Sequence, residues 1–216
     1  MLQIRKQLSV IDFGAFDMTN VYLAGPTVFL PDAAAVFAKM KGILARYELN
    51  GVAPIDNQIG LEQLPPGGQL AEAIYLADEQ LMREADAAIF NIDPFRRGTE
   101  MDAGTAFEVG YCKALGLPMT GWTTDARAYP DKVADFMKSV FGEALVSVGK
   151  NDSGGTSGAL RDADGVLVHS EGKFQNLMID VAIEQSGGRV YADADWETAF
   201  DGAAEQLGRM VGSGRG

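Results

Sequence analysis

Apolar residues occur along the chain in short runs that alternate with longer segments in which they recur every three or four positions. The runs predict buried strands, and the periodic segments predict helices that bury one face. Five strands are predicted, at about Asn20–Ala24, Gly51–Ile55, Ala87–Ile92, Leu117–Trp122 and Arg189–Tyr191. Six helices are predicted, at about Asp32–Tyr47, Gln69–Glu84, Gly104–Leu115, Lys132–Leu145, Lys173–Gln185 and Trp196–Met210.

This alternation of strands and helices predicts an α/β fold with a flavodoxin-like, five-stranded parallel sheet and helices on both faces. We expect a single domain over residues 1–216, with an N-terminal extension at 1–19 and a loop or hairpin insertion at about 149–172. The pair Asn50-Gly51 is expected to stop the first helix. Ligands of such folds bind outside the carboxyl ends of the strands, so the chemistry is expected in loops 25–32, 56–68 and 93–103.

Composition narrows the classes of function. The net charge of −12 disfavours nucleic acid or an anionic membrane as the main partner. The single cysteine, Cys112, allows no internal disulfide and fits a reducing compartment. No apolar run has the length of a membrane span, and Asp12 and Asp17 interrupt any signal-peptide core. The expected location is therefore cytoplasmic.

The single histidine, His169, excludes metal sites that need several histidines and leaves acid–base chemistry mainly to carboxylates and tyrosines. No Gly-x-Gly-x-x-Gly follows the first strand, and no P-loop is present. We therefore expect no nucleotide cofactor. Acidic residues in one crevice could bind Mg²⁺, but no spacing requires a metal.

The segment Gly104–Tyr111 carries the most informative carboxylate, Glu108. Two interpretations are about equally supported by its pattern. Glu108 can close a capping box begun by Thr105, or it can be a partly buried nucleophile or base at the strand-end crevice. Asp102 can act from the preceding loop or can itself cap the helix.

Three further positions are candidates for the same crevice. Asp78 leans toward the buried face of its helix, where a carboxylate is costly unless it is paired or functional. Tyr22 lies in the first strand, and its spacing alone favours core packing. Gly25 begins a turn that fits the close approach of a ligand.

Together these segments resemble the nucleoside 2-deoxyribosyltransferase family. The matching segments lie between about residues 20 and 200, and no single one of them is specific. They are Val21–Pro26, Ile74–Asp78, Ala85–Ile92, Asp102 with Gly104–Tyr111, and Phe174–Met178.

The resemblance implies transfer of 2-deoxyribose between nucleobases, as in purine salvage, through a covalent sugar ester on Glu108. It implies that Asp78 carries the proton of the base and that Tyr22 orients Glu108. Asp102 is implied to bind the sugar 5′-hydroxyl, together with Asn176 of a neighbouring subunit. The implied protein is a homo-oligomer without a cofactor.

The substrate pocket is less well determined by the sequence. Gly25 and Phe29 in the first loop are expected to contact the substrate, and Asp56 and Gln58 lie where a base edge could be read. The first loop offers one hydroxyl and no arginine for a phosphate, which favours unphosphorylated nucleosides. The alternatives are an N-glycosidase acting on nucleosides or nucleoside 5′-monophosphates, and a non-catalytic nucleoside sensor.

Overall fold

The chain forms one central parallel sheet with helices on both faces and a small antiparallel sheet beside it. The computed structural model describes residues 18–57, 60, 63–147, 159–169 and 171–212. In chain order the elements are β1 (Thr19–Ala24), α1 (Ala33–Ala45), β2 (Leu49–Val52), α2 (Gly68–Glu84), β3 (Ala87–Asn91), α3 (Ala103–Ala114), β4 (Met119–Thr123), α4 (Tyr129–Phe141), β5 (Val146–Ser147), β6 (Leu160–Arg161), β7 (Leu167–Val168), α5 (Leu177–Glu184), β8 (Val190–Ala192) and α6 (Trp196–Gly212).

The central sheet has the strand order β2-β1-β3-β4-β8, and all of its pairs are parallel. This order confirms the predicted flavodoxin-like fold. The direction of connection reverses between β1 and β3, and the loops that leave these two strands therefore diverge at their carboxyl ends. Ligands of doubly wound sheets bind at such a point.

Neighbouring residues of β1 face opposite sides of the sheet, as the period of a strand requires. Val21 and Leu23 pack with α1 and α6, in a core that also contains Trp122 and Phe200. Tyr22 belongs to the other core, which includes residues of α2, α3 and α5. Tyr22 is thereby directed toward the helices that carry the candidate carboxylates.

The prediction that Asn50-Gly51 stops the first helix is wrong. Helix α1 ends at Ala45, and Glu48 makes the turn with a positive φ of 60°. Asn50 and Gly51 lie inside β2, paired with β1. A Cβ on Gly51 would lie 2.8 Å from Leu44 Cδ1, so glycine allows α1 to pack closely on the strand. Strand pairing therefore outweighed the local turn preference.

Part of the predicted insertion forms β6 and β7, which pair with β5, just before the insertion, in an antiparallel sheet. The ring of His169, just after β7, stacks on Tyr129 at the start of α4 with the centroids 4.2 Å apart. Residues 1–17 of the predicted N-terminal extension and residues 148–158 and 170 lie outside the described residues. Within the described ranges, no helix is long and apolar enough to cross a membrane.

Candidate active site

A cavity of about 320 Å³ opens at the carboxyl end of β1, between the first loop and helices α2 and α3. Its lining combines three carboxylates with small and apolar side chains. These residues are Gly25, Val28, Phe29, Pro54, Ile74, Asp78, Asp102, Gly104, Thr105 and Glu108. Five of the predicted site residues thus share one cavity, and Tyr22 reaches it through Glu108. No lysine or arginine is among these described lining residues, so the cavity carries an excess of negative charge.

The first turn of α3 fixes the position of Asp102. This residue is the N-cap, and its Oδ2 accepts hydrogen bonds from the backbone N–H of Thr105 at 3.0 Å and from the Thr105 hydroxyl at 3.2 Å. Asp102 Oδ1 has no hydrogen bond within the described part of the chain. The capping box with Thr105 as N-cap is therefore wrong, because the N-cap of α3 is Asp102, three residues before Thr105.

Glu108 lies one turn further along α3, and its carboxylate is held by β1 rather than by its own helix. The Tyr22 hydroxyl donates to Glu108 Oε1 at 2.5 Å. The pKa of Glu108 is raised to about 7, mainly by burial and to a smaller extent by the charges of Asp78 and Asp102. The hydrogen bond from Tyr22 opposes this shift. Glu108 therefore titrates near neutrality.

Tyr22 is fully buried, and its hydroxyl is a fixed donor rather than an acid. Burial and the neighbouring Glu108 raise the pKa of Tyr22 well above its usual value. The hydroxyl therefore keeps its proton at neutral pH. A buried donor with one acceptor fixes the orientation of that acceptor.

Asp78, on α2, is the second carboxylate with a shifted titration. Its Oδ1 is buried and has no hydrogen-bond partner in the described residues. Burial raises the pKa of Asp78 to about 6. A carboxyl without a donor partner in an apolar surrounding favours its neutral form. Such a group can give a proton to a ligand and take it back near neutral pH.

The remaining predicted residues lie elsewhere. Asn176 is the N-cap of α5; it is exposed and does not line the cavity, and its Oδ1 accepts from the Met178 N–H at 3.0 Å. Asp56 also lies outside the lining, and its carboxylate binds Lys41 Nζ at 2.6 Å and the Ala53 N–H at 2.7 Å. Gln58 lies outside the described residues.

Thr105 was predicted as the N-cap of α3, but in the structure it lines the cavity and holds Asp102. It is 1% exposed, and its two hydrogen bonds to one oxygen of Asp102 leave the other oxygen available to a ligand. The spacing Asp-x-x-Thr between Asp102 and Thr105 is a capping pattern in its own right and could have identified the contact. The apolar residues Val28 and Pro54 carried no recognisable signal, whereas Ile74 begins one of the segments that carry the family resemblance.

The chain is similar to several known proteins over most of its length. A protein of Schizosaccharomyces pombe that is described as uncharacterized is 44% identical over 193 residues, which cover 89% of this chain and 90% of that protein. The 2-deoxyribosyltransferase of Leishmania mexicana is 28% identical, with a TM-score of 0.56, over 87% of this chain and 97% of that one.

A conserved protein of Enterococcus faecalis V583 shares the fold, with 18% identity and a TM-score of 0.53 over 88% of this chain and 98% of that one. The family model described as nucleoside 2-deoxyribosyltransferase matches residues 21–178, a span that contains Tyr22, Asp78, Asp102, Glu108 and Asn176. Because this match covers well over half of the sequence, the chain belongs to the nucleoside 2-deoxyribosyltransferase family.

Proposed function

We propose that the protein transfers 2-deoxyribose from one nucleobase to another through a covalent ester on Glu108. The observation that carries the proposal is the hydrogen bond of 2.5 Å from Tyr22 to Glu108 Oε1, in a cavity that also holds Asp78. The bond fixes one carboxylate oxygen and leaves the other available to a ligand. A fixed carboxylate beside a proton-carrying carboxyl is the pair that retaining sugar transfer requires.

The first half of the reaction breaks the bond between C1′ and the base. The reactive form has an ionised Glu108 and a neutral Asp78, and it is the less populated placement of one proton because the pKa of Glu108, about 7, lies above that of Asp78, about 6. In this form Glu108 attacks C1′ while the carboxyl of Asp78 gives its proton to the departing base nitrogen. The product is a free base, a deoxyribosyl ester on Glu108 and an ionised Asp78. In the second half, an incoming base attacks C1′ and gives its N–H proton to Asp78, which restores both carboxyl groups. Two inversions at C1′ retain its configuration.

The substrates that suit the cavity are unphosphorylated nucleosides. Asp102 Oδ1 accepts the sugar 5′-hydroxyl while Thr105 holds Oδ2. A 5′-phosphate would instead lie close to Asp102, Glu108 and Asp78, without a lysine or arginine among the described lining residues. Repulsion between like charges disfavours the monophosphate at this position. Exchange between bases is therefore preferred over cleavage of nucleoside monophosphates.

The test is exchange between deoxyinosine and adenine without an added cofactor, followed by intact-mass spectrometry of protein mixed with deoxyinosine alone. We expect deoxyadenosine and hypoxanthine as products, and a deoxyribosyl adduct on Glu108. Glu108→Ala should lower the rate at least about a thousandfold, on the scale of a removed nucleophile. Glu72→Gln, on an exposed turn of α2, serves as the control.

Two outcomes would redirect the proposal. Release of hypoxanthine without transfer to adenine would identify the protein as an N-glycosidase that uses water as acceptor. Binding of deoxynucleosides without release of any base, across purine and pyrimidine substrates, would identify a sensor and would contradict the transfer proposal.

A further inference from the structure

A second cavity, of about 440 Å³, lies at the same edge of the sheet but on its other face. Its walls include Trp122 and Val36, which pack in the core beneath α1 and α6. The catalytic cavity lies on the side of α2 and α3. Phe29 lines both cavities. The volume is in the range of pockets that bind small organic molecules.

The partition between the two cavities is thin. Gly25 lines the first cavity and Asn91 lines the second. A Cβ placed on Gly25 would lie only 2.5 Å from the Cβ of Asn91, so these two residues are in direct contact. A molecule in the second cavity would therefore lie within a few side chains of the catalytic carboxylates.

Four aromatic rings line the second cavity. The rings of Phe29 and Phe95 are stacked, with centroids 5.3 Å apart and an interplanar angle of 29°. The rings of Trp122 and Trp196 have centroids 6.1 Å apart. Phe29 is 59% exposed, and the guanidinium carbon of Arg96 lies 5.9 Å from the centroid of its ring. Walls of this kind favour a flat, aromatic ligand over a flexible or aliphatic one.

Two polar groups among these rings are available to a ligand. Asn91 is buried, and its Oδ1 accepts from the Asp93 N–H at 2.8 Å, which leaves its amide N–H₂ free. Asp93 Oδ1 accepts from the Thr123 hydroxyl at 2.8 Å and from the Thr124 N–H at 2.5 Å, which leaves Oδ2 free. Neither free group has a hydrogen-bond partner within the described ranges. A donor and an acceptor side by side match the edge of a nucleobase, which offers a ring nitrogen or carbonyl beside an N–H.

We propose that the second cavity is an accessory site for a free nucleobase. The inference rests on the proposed sugar transfer, because in that reaction a released base and an incoming base are both present while the sugar remains on Glu108. The catalytic cavity accommodates one base at C1′ at a time. The accessory site holds a purine ring against the aromatic walls, with its edge bound by Asn91 and Asp93.

Tryptophan fluorescence reports on this site directly, because both tryptophans of the chain line it. Adenine is titrated into the protein, and a parallel titration of free tryptophan corrects for absorption by the base. We expect saturable quenching. The variant Asp93→Asn keeps an Oδ1 acceptor for Thr123 and Thr124 but replaces the free acceptor by a donor. Its Kd for adenine should rise about tenfold, the effect of losing one charged hydrogen bond.

The controls separate this proposal from the sugar transfer. Asp164→Asn removes the same charge at an exposed turn, and adenine should quench its fluorescence with the Kd of the unmodified protein. Glu108→Gln should lose base exchange and keep the quenching. Base exchange without quenching would overturn the accessory site and leave the sugar transfer standing. Quenching without base exchange would overturn the sugar transfer and leave a base-binding site at the tryptophans. An unchanged Kd in Asp93→Asn would also overturn the accessory site.

Discussion

At the scale of single residues, the candidate site buries a carboxylate that must be charged in order to react. Glu108 must be ionised to attack a sugar, yet burial and two neighbouring carboxylates favour its neutral form. The Tyr22 hydroxyl is the group that favours the ionised form. The two residues therefore act as a unit, and removal of either one changes the titration of the site.

Replacement of Tyr22 by phenylalanine tests this coupling. Because the hydrogen bond from Tyr22 lowers the pKa of Glu108, Tyr22→Phe should raise that pKa above about 7. The acid limb of the kcat/KM profile should move to higher pH, and the rate at pH 7 should fall about tenfold or more. Tyr47→Phe removes a similar tyrosine–carboxylate bond, to Asp201, away from the cavity. An unshifted acid limb in Tyr22→Phe would show that the bond does not tune Glu108.

Glu108 also makes stability depend on pH. Its pKa is about 4.5 unfolded and about 7 folded, so the folded state binds more protons between these values. The free energy of unfolding therefore falls as pH rises from about 4.5 to 7. Glu108→Gln removes this penalty and should raise Tm by about 3–6 °C at pH 8, corresponding to about 1–2 kcal/mol, with little change at pH 4. Thermal unfolding at the two pH values, with Glu72→Gln as control, measures the difference.

At the scale of elements, the glycine that ends β1 determines the shape of the first loop. Gly25 has a φ of 147° and touches Asn91 of β3. Gly25→Ala should therefore cost about 1–3 kcal/mol of unfolding free energy, through strain and the clash with Asn91. Gly110→Ala is the matched control, since a Cβ there meets nothing within 4 Å on the exposed face of α3. It should stabilise by about 0.5–1 kcal/mol. Chemical denaturation of both variants checks the contrast.

The elements also show which parts of the molecule a sequence can predict. Short apolar runs and period-3.6 patterns depend on burial alone, and they located every strand of the central sheet and its flanking helices. Helix boundaries were less predictable where two neighbouring residues can each serve as the N-cap. Asp102 and Thr105 are both good N-caps, and only the backbone at Asp102 decides between them. The contact between Tyr22 and Glu108 joins residues 86 positions apart, and no local pattern encodes it.

At the scale of the whole molecule, exposed apolar side chains lie near the candidate site and near Asn176. Tyr75 and Phe107, on the helices that carry Asp78 and Glu108, are 48% and 50% exposed. Met178, close to Asn176 on α5, is 71% exposed. Exposed apolar side chains of this kind are typical of an interface between subunits. They support the proposal that a neighbouring copy covers this cavity and contributes its Asn176.

Asn176 can serve both its own helix and a neighbour. Its Oδ1 caps α5, and its amide N–H₂ has no hydrogen-bond partner among the described residues. The variant Asn176→Asp keeps the cap, because aspartate is an equally good N-cap, and loses the donor. The variant should therefore fold normally and should bind the sugar hydroxyl poorly, with KM raised more than kcat is lowered.

Mixing this variant with Glu108→Gln tests whether the site crosses between subunits. If Asn176 serves a neighbour, a site is intact wherever a chain with normal Glu108 adjoins a chain with normal Asn176. Random assembly should then restore about a quarter of the unmodified kcat/KM, measured with substrate well below KM. If Asn176 served its own chain, every site in the mixture would carry one defect, and co-expressed variants would show only the average of their separate activities. Sedimentation of the same mixture establishes that the two chains have assembled, so that a lack of restored activity counts against the shared site.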